Sequence, residues 1–255
     1  MTAIHNRQTY LFLASAGLLQ PDVKVLHKFG ANRDVDSVSV PEDINTLGGD
    51  VLFPDAASTI SIVSASVNDT DGGTGINKVV ISGLDSDFNE ISEEVTLQGQ
   101  TPVVTDAEFL RVNRMAGILA GSGKSAAGSI VGTHDEGDII QILAGEGQSF
   151  MAAWTVPAGF RFLISSVFVS VERKGDAVVD IHLERKIMGQ NVWRALGSYS
   201  VSSNGTSSLL REYDIPLYVG EKTDLRLRVV ALNANDVTVT GQFDGIYYQN
   251  GGITA

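Results

Sequence analysis

Cysteine is missing altogether from this 255-residue chain, and histidine and proline are sparse, with 4 and 6 copies. Without thiols there is no disulfide framework, no thiolate metal site and no thiol nucleophile. Four histidines leave little for a histidine-rich metal centre. Charge is also scarce, at 19%, and one sign dominates: 30 Asp and Glu against 18 Lys and Arg give a formal net charge of −12. Such a chain is repelled by nucleic acid and by anionic membrane unless its basic residues cluster, and they do not. Long hydrophobic runs are missing too. The apolar stretch Tyr10–Leu19, YLFLASAGLL, is half the length a bilayer span needs, so no membrane insertion is expected. What is present is ordinary globular composition, with 43% hydrophobic residues and 27 glycines, and length enough for one large domain or two small ones.

Arg7 before the Tyr10–Leu19 run imitates a signal-peptide start, but the run ends in Leu18-Leu19-Gln20-Pro21 without a small-residue cleavage site. Residues 1–23 therefore read as an N-terminal arm or short helix that docks on a partner or on the chain's own core, and synthesis in a cytoplasm is expected.

The apolar period is two nearly everywhere, the signature of half-buried antiparallel strands. Val167, Val169 and Val171 alternate with Phe168, Ser170 and Glu172; Val179, Ile181 and Leu183 alternate with Asp180, His182 and Glu184; Leu225, Leu227 and Val229 alternate with Arg226, Arg228 and Val230. Turn signals separate the runs: Pro157-Ala158-Gly159, Lys174-Gly175-Asp176, Met188-Gly189-Gln190-Asn191, Ser203-Asn204-Gly205-Thr206 and Asn233-Ala234-Asn235-Asp236. Eight runs follow Asp138, at 138–143, 148–156, 160–173, 177–188, 191–201, 208–215, 222–231 and 236–248. They predict a jelly-roll-like sandwich over 138–255. Candidate strands at 23–29, 59–67, 77–83, 89–97, 101–104 and 108–115 predict a smaller sandwich over 24–115. The Gly-, Ala- and Ser-rich stretch 116–137 reads as a linker. The expected fold is all-β: two tandem antiparallel β-sandwiches behind an arm.

No motif carries chemistry. Gly121-Ser122-Gly123-Lys124-Ser125 mimics a phosphate loop, but the first glycine belongs at position 118, which is Ile118, and no helical pattern follows. Asp69-Thr70-Asp71-Gly72 and Asp85, Asp87, Asn89 mimic the opening of a calcium loop, yet the twelfth positions are Val80 and Thr96 where a glutamate is needed. Both read as solvated turns, as does His134-Asp135-Glu136-Gly137-Asp138, whose neighbours on a strand point apart. His182 belongs on an outer strand face, and His5 and His27 read as ordinary surface residues. The many carboxylates read as a hydrated acidic surface rather than a glycosidase pair. Trp154 shares parity with Phe150 and Val156 and reads as core; Trp193, Tyr199, Tyr247 and Tyr248 remain candidates for a sugar-binding face. No catalytic, cofactor-binding or metal-ligating residue is assigned.

Val25-Leu26-His27-Lys28-Phe29-Gly30-Ala31-Asn32, the segment from Val79 to Gly99, Ala144-Gly145-Glu146-Gly147-Gln148 and the run from Phe150 to Gly159 together resemble a family of virion structural proteins of tailed bacteriophages, of the marine and cyanobacterial type. The resemblance spans most of 24–248 and lies in turns and strands, not in a catalytic signature. It implies a non-enzymatic particle component, located in the virion after assembly in a host cytoplasm. Its implied partners are other virion proteins and copies of itself in a homo-oligomer. Tail association, linking fibre or adhesion parts to the particle, is the leading expectation. Capsid decoration, a carbohydrate-binding module and a calcium-stabilised adhesion domain are the alternatives.

Overall fold

The computed structural model describes residues 23–249. The N-terminal arm therefore lies outside the described residues apart from Val23. Fourteen strands form, in the order β1 (Lys24–Val35), β2 (Glu42–Asp43), β3 (Ser58–Ser64), β4 (Ile76–Leu84), β5 (Glu90–Thr96), β6 (Val103–Phe109), β7 (Arg111–Ala120), β8 (Ile130–His134), β9 (Gly137–Ile142), β10 (Ala153–Thr155), β11 (Phe160–Ile187), β12 (Arg194–Val219), β13 (Thr223–Leu232) and β14 (Val237–Gln249). The described residues contain no helix, and all pairings are antiparallel. The all-β sandwich expectation holds.

The two longest strands each serve two sheets. The first half of β11 pairs with β14, from Phe160↔Gln249 to Glu172↔Thr238. Its second half pairs with β13, from Val179↔Leu232 to Ile187↔Thr223. Strand β12 follows β11 along its other side, from Phe162↔Val219 to Arg185↔Arg194. One layer is thus β1, β14, the first half of β11 and the second half of β12. The other is β2 and β10 side by side on one edge of β13, then β13, the second half of β11 and the first half of β12. This is a jelly-roll arrangement, in which strands pass from one packed sheet to the other. Lys174-Gly175-Asp176 and Ser203-Asn204-Gly205-Thr206, expected as turns, lie inside β11 and β12. They face each other at a register shift between Arg173↔Gly205 and Asp176↔Asn204. Gly175 and Gly205 take φ of 110° and 98° there, so glycine allows the ribbon to bend around the corner without ending it.

The domain boundaries differ from the tandem expectation. Strand β1, expected in the first sandwich, pairs with β14 from Lys24↔Tyr247 to Val35↔Val237 and completes the jelly roll. The smaller sandwich stacks a β6-β3-β8-β9 sheet on a β5-β4-β7 sheet. It therefore takes β8 and the end of β7 from the supposed linker, and β9 from the supposed second domain. It is an insertion between β2 and β10, two short strands that both pair with β13 in the jelly roll. Its entry and exit legs run side by side: Asn45 bridges Met151, and the Ala152 N–H donates to the Ile44 carbonyl at 2.9 Å. A Cβ on Gly30 would sit 2.2 Å from Ala152 N and 2.4 Å from the Ile44 carbonyl, so only glycine lets β1 cross over these legs.

Each sandwich has its own core. The jelly roll buries Phe162, Val167, Val169, Val179, Ile181, Leu225, Leu227 and Phe243. The insertion buries Ile60, Ile62, Val79, Ile81, Phe109 and Met115. These are the inward positions of the period-two pattern.

A candidate docking edge

Strand β12 hydrogen-bonds to β11 on one side only; among the described residues no strand pairs with its other side. A free edge exposes unpaired N–H and C=O groups, and folded proteins usually guard it with charge, proline or bulges. From Ala195 to Leu210 there is no Lys, Arg, Asp or Glu at all, in a chain of net charge −12. Outward positions Ser198, Ser200, Ser202 and Ser208 are small, polar and exposed. Inward Leu196, Leu209, Tyr213 and Leu217 pack on the jelly-roll core but are only half-buried, because nothing flanks them on the open side.

Charge and proline begin only beyond Leu210; before that the edge is interrupted only by a bulge at Leu196 and by the register shift at Asn204–Gly205. Arg211, Glu212 and Asp214 bring charge, and Pro216 removes a donor. Glu212 opposes Ser166 while Leu217 opposes Ile164, so residues 213–216 bulge opposite Ser165 alone. Ile215, on that bulge, is 85% exposed. Tyr213 is tied back by a 2.5 Å bond between its hydroxyl and that of Tyr199, whose pKa burial and this bond push upward.

The face beside this edge is apolar. Register places Phe29, Gln242, Phe168 and Leu210 in one row across four strands on the outer side. Phe29 also meets Phe150 with ring centroids 5.5 Å apart, and a groove of about 330 Å³ lies among Phe29, Ala31, Phe150, Phe168 and Thr240.

The two sandwiches are joined by a buried polar seam. Arg111 of β7 grips Asp224 of β13 with Nε to Oδ1 at 2.9 Å and Nη2 to Oδ2 at 3.1 Å, while the Thr155 hydroxyl donates to Oδ1 at 2.7 Å. Asp43 accepts from Arg226 and Arg228 at 3.2 Å each and from the Val51 N–H at 2.8 Å. Burial dominates there and raises the Asp43 pKa to about 6, against the pull of both guanidiniums and the Val51 N–H. Lys28 donates to the Asn113 carbonyl across the same junction, and its pKa falls to about 7, chiefly through burial and then through nearby Arg114.

The sequence motifs find structural places. In Gly121–Ser125, the N–H groups of Gly121, Gly123 and Lys124 donate to the carbonyls of Gly75, Thr74 and Gly121, so none is turned to a phosphate. Asp69 is fully buried and accepts four bonds: Oδ1 from the N–H groups of Ile76 and Ala127, Oδ2 from the Ser64 hydroxyl and the Gly128 N–H, all within 2.9 Å. Its oxygens hold the insertion's loops together. Asp85 caps its own turn by accepting from Asp87 N–H and from Asn89 backbone and side chain. Burial opposes this, but the three bonds together lower its pKa. His134 ends β8, and residues 135–136 turn into β9. His182 sits on an outer face, 3.6 Å from Glu184, and His27 pairs with Asp244 at 3.0 Å. Trp154 is core, 5.0 Å from Phe162 and 5.2 Å from Tyr247. Tyr247 is buried and donates to Glu90 at 2.9 Å; burial, then Glu90, raises its pKa. Trp193 lies 3.9 Å over the Arg226 guanidinium. Sequence reading missed Asp34, Asp36 and Asp236, which gather at the end of β1 and the β13–β14 turn. Their carboxylates meet through a fold contact across two hundred residues, which no local signal announces.

No protein-family model and no curated protein matches the chain. Among solved structures, a chain from the structure of infectious bursal disease virus Gx strain aligns over 91% of this chain and 72% of that one, at 9% identity and a TM-score of 0.21. A likeness at that score carries no argument here.

Proposed function

We propose that the protein is a non-enzymatic structural component of a virion, of the tailed-phage kind that its sequence resembles. In this reading it joins copies of itself and neighbouring virion proteins. The observation that carries the reading is the free, uncharged β12 edge over residues 195–210. Two acidic copies repel each other over most of their surfaces, and this edge is a stretch where backbone can approach backbone without opposing charge. The described carboxylates support it in a second way: Asp69, Asp224 and Asp43 are all engaged in holding the fold. Tail attachment of fibre or adhesion parts is the location we favour, with capsid decoration as the alternative.

Quantitative mass spectrometry of purified particles, scaled to the portal and the major shell protein, tests this. A few copies per portal ring is the expected result. A ratio near that of the shell protein replaces tail with capsid decoration, and absence from particles overturns the virion reading.

A further inference from the structure

The outer face of the jelly roll breaks the pattern of its own strands. A strand with one face in water normally carries polar side chains there. Along β11 the outward residues are Ser166, Phe168, Ser170 and Glu172, and along β1 they are His27, Phe29, Ala31 and Arg33. Phe29 and Phe168 thus stand outward, half-buried, and neither belongs to a core. The register sets them on either side of Gln242 in one row, two strand spacings or about 10 Å apart. The floor between the rings is Gln242 and Thr240 of β14, and Phe150 of the exit leg closes on Phe29. This is the groove of about 330 Å³, and Leu210, 61% exposed, continues its row on β12.

We propose that the occupant of this groove is the apolar run Tyr10–Leu19 of the same chain. Reach allows it. Phe29 lies five residues beyond Lys24 along β1, about 17 Å. Residues 10–22 span up to about 43 Å when extended, so the run has chain enough to turn back over β1. Composition selects it. The run offers Tyr10, Leu11, Phe12, Leu13, Leu18 and Leu19, whereas residues 250–255 beyond β14 offer only Ile253 as a large apolar side chain. Charge agrees: residues 1–21 contain Arg7 and no Asp or Glu, so they approach a chain of net charge −12 without repulsion. Size excludes a second folded body. Two such bodies in stable contact bury about 1,200–2,000 Å², and a groove of this volume takes only a few side chains. The tether favours the chain's own run over that of a second copy, because a short flexible link gives an effective concentration of about a millimolar. Seated there, the run shields from water the apolar row that ends beside the β12 edge. The proposal concerns one chain alone, so the particle census does not bear on it.

The chain has no cysteine, so a single thiol pair can be introduced without background. Ser15→Cys with Thr240→Cys places one thiol in the run and one on the groove floor, and a short bismaleimide is the probe, applied to the full chain. A cross-link within one chain is expected, at a rate independent of protein concentration. That rate should fall about tenfold when Leu13→Asp and Leu18→Asp are added in the run, and by as much when Phe168→Asp is added in the groove. If Phe168→Asp fails to fold, the two run substitutions, which leave residues 23–249 untouched, carry the comparison. A rate unchanged by them means a tether sampling the surface at random and overturns the proposal, as does the absence of any cross-link. Cross-linked pairs of chains overturn it as well, by giving the groove to the run of a second copy.

Discussion

At the scale of single residues, this molecule uses buried charge as structural fastening. Asp69 is the clearest case, with four donors converging on one carboxylate from three separate segments. Asp69→Asn replaces one acceptor oxygen by a donor; with the NH₂ at the Oδ2 position the Ser64 hydroxyl can turn to accept from it, but the Gly128 N–H is left facing a donor. A loss of about 2–3 kcal/mol is expected, read as a melting temperature lower by roughly 5–10 °C. Chelator added to the parent should leave its melting temperature unchanged, because the Asp69 oxygens are already occupied; a fall on chelation would revive the calcium reading. Lys28 makes the opposite kind of contribution. Its folded pKa is about 7 against an ordinary 10.5. Between those values the unfolded chain holds a proton that the folded chain has released, so this group makes stability rise with pH from about 7 to 10.5; the gain is lost as pH falls back from 10.5 and is gone by about pH 7, below which both states hold the proton. Lys28→Met should be more stable than the parent near pH 6, with the difference shrinking toward about pH 10. Urea melts across that range check it, and an unchanged pH slope in the variant would show that Lys28 does not titrate there.

At the scale of elements, strand identity was legible and strand continuity was not. Period-two alternation marked β11, β12, β13 and β14 because each has one face in a core and one in water. The same local signals misplaced two ends. Lys174-Gly175-Asp176 and Ser203-Asn204-Gly205-Thr206 have the chemistry of turns, but whether such a stretch reverses the chain or bends a paired ribbon depends on what lies opposite it. Here each lies opposite the other. The candidate edge follows the same logic. The absence of charge from 195 to 210 is readable in the sequence, but that this stretch is an edge and not a central strand comes only from the pairing. If the edge mediates self-association, Ser200→Lys with Ser208→Lys should abolish it. Both side chains point outward, so stability should move by no more than about 0.5 kcal/mol. Light scattering after size exclusion reads the outcome, and oligomers that persist in the double variant would move the contact elsewhere.

At the scale of the whole molecule, the smaller sandwich is inserted between β2 and β10 of the larger one, and the two were expected in tandem. Nothing local encodes this, since the pairing of β1 with β14 joins opposite ends of the chain. The Gly-rich stretch after β7 looked like a linker because flexible composition and tight packing of small residues are alike in sequence; Gly121 and Gly128 are in fact pressed against neighbouring backbone. An inserted domain tethered by two adjacent legs can hinge on them unless other contacts hold it. The Arg111–Asp224 pair supplies such a contact, reinforced by Arg111 donating to the carbonyls of Pro54 and Leu110 at 2.5 and 2.9 Å. Arg111→Ala leaves the Asp224 carboxylate buried with Thr155 and with Lys186 at 3.5 Å, and a loss of about 3 kcal/mol is expected. Trp154 lies in the jelly-roll core and Trp193, in the β11–β12 turn, packs on Phe53 of the insertion, so their fluorescence reports the jelly roll and its junction, whereas far-ultraviolet circular dichroism reports both sandwiches throughout. In the parent the two signals should trace one denaturant transition. In Arg111→Ala they should separate, and Arg111→Met with Asp224→Leu should bring them together again by removing the stranded charge along with its partner. Coincident transitions in Arg111→Ala would mean that the connecting legs and the Asp43 cluster alone make the two sandwiches one cooperative unit.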